Sequence, residues 1–419
     1  MKVLYHIGIL IYGFLIKIVS ILGNPKAQKW INGRKNWKIN INSMGIGADP
    51  IWIHISSLGE YLMTKPLIDL LLEEYKEKII YLTFFSPSGF ENAKINNVRV
   101  IKGYLPLDTP SNAKYFIKHI NPSIAIFAKY DFWFNYLAEV QKQKIPSIVF
   151  STTLNKQHIY FRKSWSWHKN ILKKISKILV LKEENLNFLI NEGFENAGVC
   201  GDTRFDQVSN INENTKILPE IKKFIAGRKC IILGSSWKEE EDIVADIYDS
   251  NENTALIIAP HEVSEKRISE IEKIFQNTIR NSSINSKKPS SDKILIIDSI
   301  GLLASIYQLS DIALVGGGFS GKLHNILEPA SKNNVILFGP HFKKFPEASE
   351  LINLKAAHIF SNSSELKSIF NELKNEQKLN AQKVIAFNYI KENKGATKLV
   401  FNTVKGLMPH STTSASSKI

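Results

Sequence analysis

From Asp49 onward, short runs rich in β-branched residues alternate with longer amphipathic stretches, and this alternation restricts the fold of the 419-residue chain more than any other feature. A short run that is mostly apolar, without amphipathic alternation, is buried on both faces, which calls for a parallel sheet covered by helices on each side. One series of such runs comprises 51–55, 79–85, 98–101, 123–128, 147–150 and 178–181. A second comprises 230–233, 255–259, 294–297, 312–315, 335–338 and 358–360. The predicted fold is therefore α/β, with two doubly wound domains facing one another across a cleft, one over 25–209 and the other over 210–390. The polar, strand-poor stretch 210–227 reads as a hinge. A helix over 391–407 is expected to pack back on the first domain, and the Ser/Thr-rich stretch 408–419 reads as a disordered tail. In such sheets ligands bind outside the carboxyl ends of the strands, so the loops after each run are where chemistry is expected.

Charge and hydropathy at the N-terminus narrow the setting. Of the 20 residues Val3 to Leu22, 15 are apolar, and Gly23-Asn24-Pro25 follows as a stop. That length suits a helix crossing the bilayer or sunk in its surface, so residues 1–24 read as a membrane anchor. Residues 1–50 carry seven Lys/Arg against Asp49 alone, which favours keeping the body on the cytoplasmic side. Lys156 to Lys182 contains eight Lys/Arg and no acid, interleaved with Tyr160, Phe161, Trp165 and Trp167. Nucleic acid or an anionic lipid surface would each explain such a block, and the apolar N-terminal segment tips the choice to lipid. With only Cys200 and Cys230, neither a disulfide framework nor a zinc site organises the chain.

Several post-strand loops carry candidate chemistry. Ser57 and Glu60 have capping-box spacing, and on spacing alone the cap is the better account of Glu60. The sharper account makes Glu60 a general base at a strand's carboxyl end. The turn Ser86-Pro87-Ser88-Gly89 could bind a polar ligand. Within Lys129 to Asn135, Asp131 and Asn135 could orient substrate hydroxyls and Lys129 could meet an anion, although an Asx cap beside a core Trp133 is the simpler account. Later come His261 after Pro260, Asp298 to Leu302 at a helix start, and Leu314 to Ala330. In the last of these, Gly316, Gly317 and Gly318 would let backbone approach a ligand and Glu328 could accept both hydroxyls of a ribose.

With these pieces assembled, the chain resembles the 3-deoxy-D-manno-octulosonic acid (Kdo) transferases, membrane-associated glycosyltransferases of the GT-B type, built from two Rossmann-like domains. The matching segments are Ser56–Glu60, Thr83–Glu91, Leu105–Asp108, Gly201–Asp206, Gly234–Glu241, Val315–Gly318, His324–Ala330 and Phe338–His341. The resemblance implies transfer of Kdo from CMP-Kdo to a lipid A precursor, lipid IVA, with inversion, at the cytoplasmic face of the inner membrane. It implies Glu60 as base, with Asp131 as a second catalytic carboxylate, and a CMP site at Pro260, His261, Ile300, Gly301, Leu302, Asn325, Ile326, Leu327 and Glu328. CMP is already a competent leaving group, so no metal or other cofactor is expected; nor is nucleic acid as a partner. Lys129 and Asp131 stand where many relatives have two glutamates. Pro260 stands where they have an arginine, which leaves Lys322, Lys343 or a helix-start amide to meet the phosphate. A GT-B transferase using a UDP-sugar on a membrane acceptor, or a lipid- or nucleic-acid-binding module without turnover, are the rival readings.

Overall fold

The computed structural model describes residues 1–47, 49–210, 219–248, 253–284 and 294–408. The chain divides into two compact units, one of Met1–Gln207 together with the segment from Lys394 onward, the other Val208–Asn393.

The first unit is built on seven parallel strands: β1 (Ile51–Ile55), β2 (Ile80–Phe84), β3 (Val100–Tyr104), β4 (Ile124–Ala128), β5 (Ser147–Thr152), β6 (Lys177–Val180) and β7 (Ala197–Val199). Their order is β3-β2-β1-β4-β5-β6-β7. Strands β1, β2 and β4 are buried at every position, as a sheet with both faces covered requires. Ile51, Ile53 and Ile55 enter one core and Trp52 the core on the opposite face. The chain direction across the sheet reverses between β1 and β4, which makes their carboxyl ends the topological switch point.

The second unit repeats the plan with β8 (Lys229–Ser236), β9 (Thr254–Pro260), β10 (Thr278–Arg280), β11 (Ile294–Ile296), β12 (Ile312–Val315), β13 (Val335–Phe338) and β14 (Ala357–Ile359), in the order β10-β11-β9-β8-β12-β13-β14. Every pairing in both sheets is parallel. Here the switch point lies between β8 and β12. All twelve expected strands are present within a few residues, whereas β7 and β10 had no sequence signal. Each has three residues, Ala-Gly-Val and Thr-Ile-Arg, and lies at a sheet edge, too short to show a period.

The helix after β1 runs from Leu58, where the Ser57 cap sets its origin, past Pro66 to Glu74. Two expectations need correction. The stretch 391–407 is not one helix. The helix Glu376–Glu392 ends in the second unit, Gly395 turns the backbone at φ +110°, and the helix Ala396–Leu407 belongs to the first unit. Asp206 of the Gly201–Asp206 segment anchors that return by accepting from the N–H groups of Gly395 and Thr397, at 2.8 and 2.9 Å. Met408, assigned to the tail, is buried in the first core beside Val400 and Val404. The remainder of that tail, 409–419, and part of the expected hinge, 211–218, lie outside the described residues.

The apolar N-terminal stretch forms helix α1 (Lys2–Ile21), which turns at Gly23 into α2 (Pro25–Gly33), capped by Asn24. One narrow stripe of α1 docks on the first unit. Tyr5 donates to Asp108 at 2.5 Å, His6 Nε2 lies 3.0 Å from Asn135 Oδ1, Ile9 is buried, and Tyr12 stacks on Phe85. Most of its other apolar residues, from Val3 and Leu4 through Phe14 to Ile21, are exposed. Mean hydropathy over α1 is 1.9, so it is long and apolar enough to cross a membrane.

Candidate active site

The switch point of the first sheet gathers two carboxylates. Glu60 sits in the first turn of the helix Leu58–Glu74 with the full capping box: Glu60 N–H donates to Ser57 Oγ at 3.4 Å, and Ser57 N–H donates back to Glu60 Oε2 at 3.2 Å. The N–H of Ser56 also donates to Oε2. Cap and candidate base are thus the same half-buried side chain. Asp131 comes from the loop after β4, and its Oδ2 accepts from the Ser56 hydroxyl. Ser56 therefore holds both carboxylates, one through its amide and the other through its side chain. That role of Ser56 was missed, because a serine in a post-strand turn gives no hint of a partner 75 residues away.

The electrostatics separate the two acids. Burial pushes Asp131 up to about 7, and the neighbouring Glu60 charge adds to the rise while the Ser56 hydroxyl opposes it. Burial also raises Glu60, but two backbone N–H groups and the Lys129 ammonium pull it back. Glu60 is therefore the more readily ionised member of the pair. Lys129, expected as an anion partner, acts on Glu60 from a left-handed backbone conformation, φ 57°.

Beneath Asp131 lies His54, fully buried on β1 and read from the sequence as one more position of an apolar strand. Its Nδ1 is 2.9 Å from Thr83 Oγ1, and its Nε2 accepts the indole N–H of Trp133 at 3.2 Å. That pattern assigns the neutral tautomer with the proton on Nδ1. Burial agrees, pushing the imidazole down to about 3. Asn135 does not point at this pair. It is buried and bonds Asp108, which also accepts from the N–H groups of Asn135 and Tyr136. The structure thus brings Glu60 and Asp131 together and assigns Asn135 to holding the loop. In the turn after β2, Ser86 caps a short helix and its hydroxyl meets that of Ser88 at 2.8 Å.

The aromatic residues of the basic block pack against other aromatic rings. Tyr160 stacks on His168 at 4.7 Å, Phe161 packs edge-on against Phe188, and Trp165 stacks on Trp167.

In the second unit the expected donor residues also collect around the switch point. Pro260 is the buried last residue of β9, and the exposed His261 that follows stacks on Trp237 at 4.6 Å and lies 4.5 Å from His324. Loops after three adjacent strands, β9, β8 and β12, each contribute one ring. Burial, with His261 close by, pushes His324 down to about 4. Asn325 Oδ1 accepts from Leu327 N–H at 3.1 Å and its Nδ2 donates to Glu328 Oε1 at 3.2 Å, so the Asn-to-Glu spacing holds that carboxylate in place. Burial raises Glu328, with the Asn325 bond and the Lys332 charge opposing it. Ile326 and Leu327 are buried and serve packing. Ile300 is 89% exposed, Gly301 takes φ +96°, and Leu302 starts the short helix Leu303–Ile306.

The glycine run has a use in the fold itself. A Cβ at Gly316 would lie 2.1 Å from the Ser235 carbonyl oxygen, and one at Gly318 would lie 2.4 Å from Gly339 N. What these glycines admit closely in the structure is the protein's own backbone. Glu240, unremarked in the sequence, fastens the loop by accepting from Gly317 N–H at 2.8 Å and from Trp237 N–H at 3.1 Å. Among the described residues, no group of three or more His, Cys, Asp or Glu side chains is arranged to hold a metal ion.

Comparison with known proteins agrees with this layout. Residues 26–207 match the family model for 3-deoxy-D-manno-octulosonic-acid transferase (kdotransferase). A 3-deoxy-D-manno-octulosonic acid transferase of Rickettsia felis is 26% identical over 354 residues, 82% of this chain and 76% of that protein. A bifunctional glycosyltransferase/methyltransferase of Fusobacterium nucleatum is 25% identical over 94% of this chain, which spans 64% of that longer protein. Among solved structures, the UDP-GlcNAc 2-epimerase of Neisseria meningitidis superposes with a TM-score of 0.60 at 14% identity, over 85% of this chain and all of that one. MurG of Acinetobacter baumannii does so with a TM-score of 0.52 at 11% identity, over 85% of this chain and 99% of that one. The last two share the two-domain GT-B fold. Fold, motif order and relatives together make the chain similar to the Kdo transferases, whose family model matches residues 26–207.

Proposed function

We propose that this protein transfers Kdo from CMP-Kdo to a hydroxyl of a phosphorylated lipid A precursor, lipid IVA, with inversion at the anomeric carbon. The observation that carries the mechanism is the separation of the two acids at the first switch point. Glu60, held by two N–H groups and near Lys129, stays ionised and removes the acceptor proton, while Asp131 holds its own proton near neutrality. The second unit binds the donor. Glu328, oriented by Asn325, accepts the ribose hydroxyls, and Pro260, His261 and Ile300 to Leu302 line the remainder of the nucleotide site. Charge developing on the departing phosphate is met by fixed N–H dipoles and by lysines, Lys322 and Lys343 being candidates in place of the arginine absent at Pro260. The reaction then needs no metal.

The exposed apolar face of α1, with the basic residues beside it, supports attachment to the cytoplasmic face of the inner membrane. Incubation of the purified protein with CMP-Kdo and lipid IVA, read by mass spectrometry, tests the reading: a product heavier by one or more Kdo units is expected. An unchanged lipid IVA, or a nucleotide preference for UDP over CMP in thermal protection, would overturn it.

A further inference from the structure

Between them α1 and α2 leave a groove of about 380 Å³ that neither helix fills. Its walls are Tyr12, Leu15, Ile16 and Val19 of α1 with Ala27 and Trp30 of α2, and Pro87 closes it. Asn24 and Lys26 are its polar members, and the Asn24 carboxamide oxygen is already taken by the N–H of Ala27 at 3.0 Å. A hollow so lined offers a polar ligand almost no partners, so it suits hydrocarbon.

Three features identify which hydrocarbon. Leu15 and Val19 are 53% and 42% exposed and belong also to the bare apolar face of α1, so the groove opens onto a continuous apolar surface. Its Pro87 end adjoins the candidate base. The turn beginning at Pro87 packs so tightly on the capping segment that a Cβ at Gly89 would lie 3.0 Å from the Ser57 carbonyl carbon. Tyr12 stacks on Phe85, Phe85 packs tilted on Trp133 at 4.7 Å, and Trp133 bonds His54. Finally, residues 1–48 contain seven Lys/Arg and no acid, which complements an anionic headgroup.

We propose that this groove binds one fatty acyl chain of the phosphorylated lipid acceptor and so presents the acceptor's sugar hydroxyl to Glu60. The proposal rests on the acceptor reading above. Val19→Trp fills the groove from its exposed rim, where folding is not at risk, and Ala27→Leu fills it from the floor. Both are assayed with lipid IVA and with the same disaccharide bisphosphate stripped of its acyl chains. With lipid IVA, kcat/KM is expected to fall at least tenfold, mainly through KM, while transfer to the stripped acceptor stays within twofold of the parent protein. Ile7→Trp, on the bare face outside the groove, should change neither and controls for bilayer contact. Equal losses on both acceptors, or none on either, overturn the acyl-chain site and leave the transferase reading standing; failure of the parent protein on both acceptors overturns that reading instead. A lipid IVA analogue with a photoreactive acyl terminus gives a readout independent of turnover. It should label residues 12–30 in the parent protein and not in Val19→Trp, and labelling confined to residues 1–11 would overturn the proposal.

Discussion

Asp131 Oδ2 lies 3.4 Å from His54 Nε2, yet the two do not form an ion pair. The Trp133 indole N–H already occupies that nitrogen, so its lone pair is engaged and the ring is neutral. A carboxylate facing an engaged acceptor gains nothing from being charged, which fits the rise of Asp131 to about 7. Trp133→Phe tests the assignment. Loss of one buried hydrogen bond should lower stability by about 0.5–1.5 kcal/mol, and NMR should then find the His54 imidazole titrating above its present value near 3.

Glu60→Gln keeps a side chain able to cap the helix but unable to take a proton. Kdo transfer should fall by about 10²–10⁴-fold, with CMP affinity unchanged. In the parent protein the acid limb of kcat/KM should lie above the ordinary glutamate value of 4.5, because burial raises Glu60. A limb at or below that value would remove Glu60 from the base role.

Asp131 also links stability to pH with a definite sign. Its pKa is 3.8 in the unfolded chain and about 7 when folded, so the folded state holds the proton more tightly. The contribution is fully present below pH 3.8 and is lost as pH rises through 7. Asp131→Asn cannot ionise and should therefore be more stable than the parent at pH 8, by roughly 2–4 kcal/mol at 1.36 kcal/mol per pKa unit. The advantage should shrink toward pH 4, as denaturant titrations at both values would show.

Glu328→Ala removes the carboxylate that Asn325 orients in the second unit. A lost charge-assisted hydrogen bond of about 1.5–3 kcal/mol corresponds to roughly a 10- to 150-fold weaker CMP affinity. Titration calorimetry should find that loss, whereas Glu240→Ala should act mainly on thermal stability, because Glu240 holds backbone rather than facing a ligand.

The architecture was legible in the sequence wherever a run was long enough to show its period. Ile51–Ile55 and Ile312–Val315 declared themselves because burial on both faces leaves them almost wholly apolar, His54 being the one exception. The cap made by Glu60 was legible because a capping box is a local signal spanning four residues, whereas its role as base rested on its place after a strand and on the resemblance. What stayed hidden is non-local. The bond from the Ser56 hydroxyl to Asp131 spans 75 positions and that from Trp133 to His54 spans 79, and no window along the chain reports either. The glycine run was noticed without its backbone packing, since one sequence does not show which neighbouring strand makes a close approach.

The contact of Tyr5 with Asp108 means that α1 is no detachable handle. Asp108 also receives the N–H groups of Asn135 and Tyr136, which follow directly on the loop bearing Asp131 and Trp133. Trimming the first turns to gain solubility would strip a buried anion of one donor and loosen the seat of the acid that sits over His54. The apolar helix and the loop that carries Asp131 thus share one buried anchor.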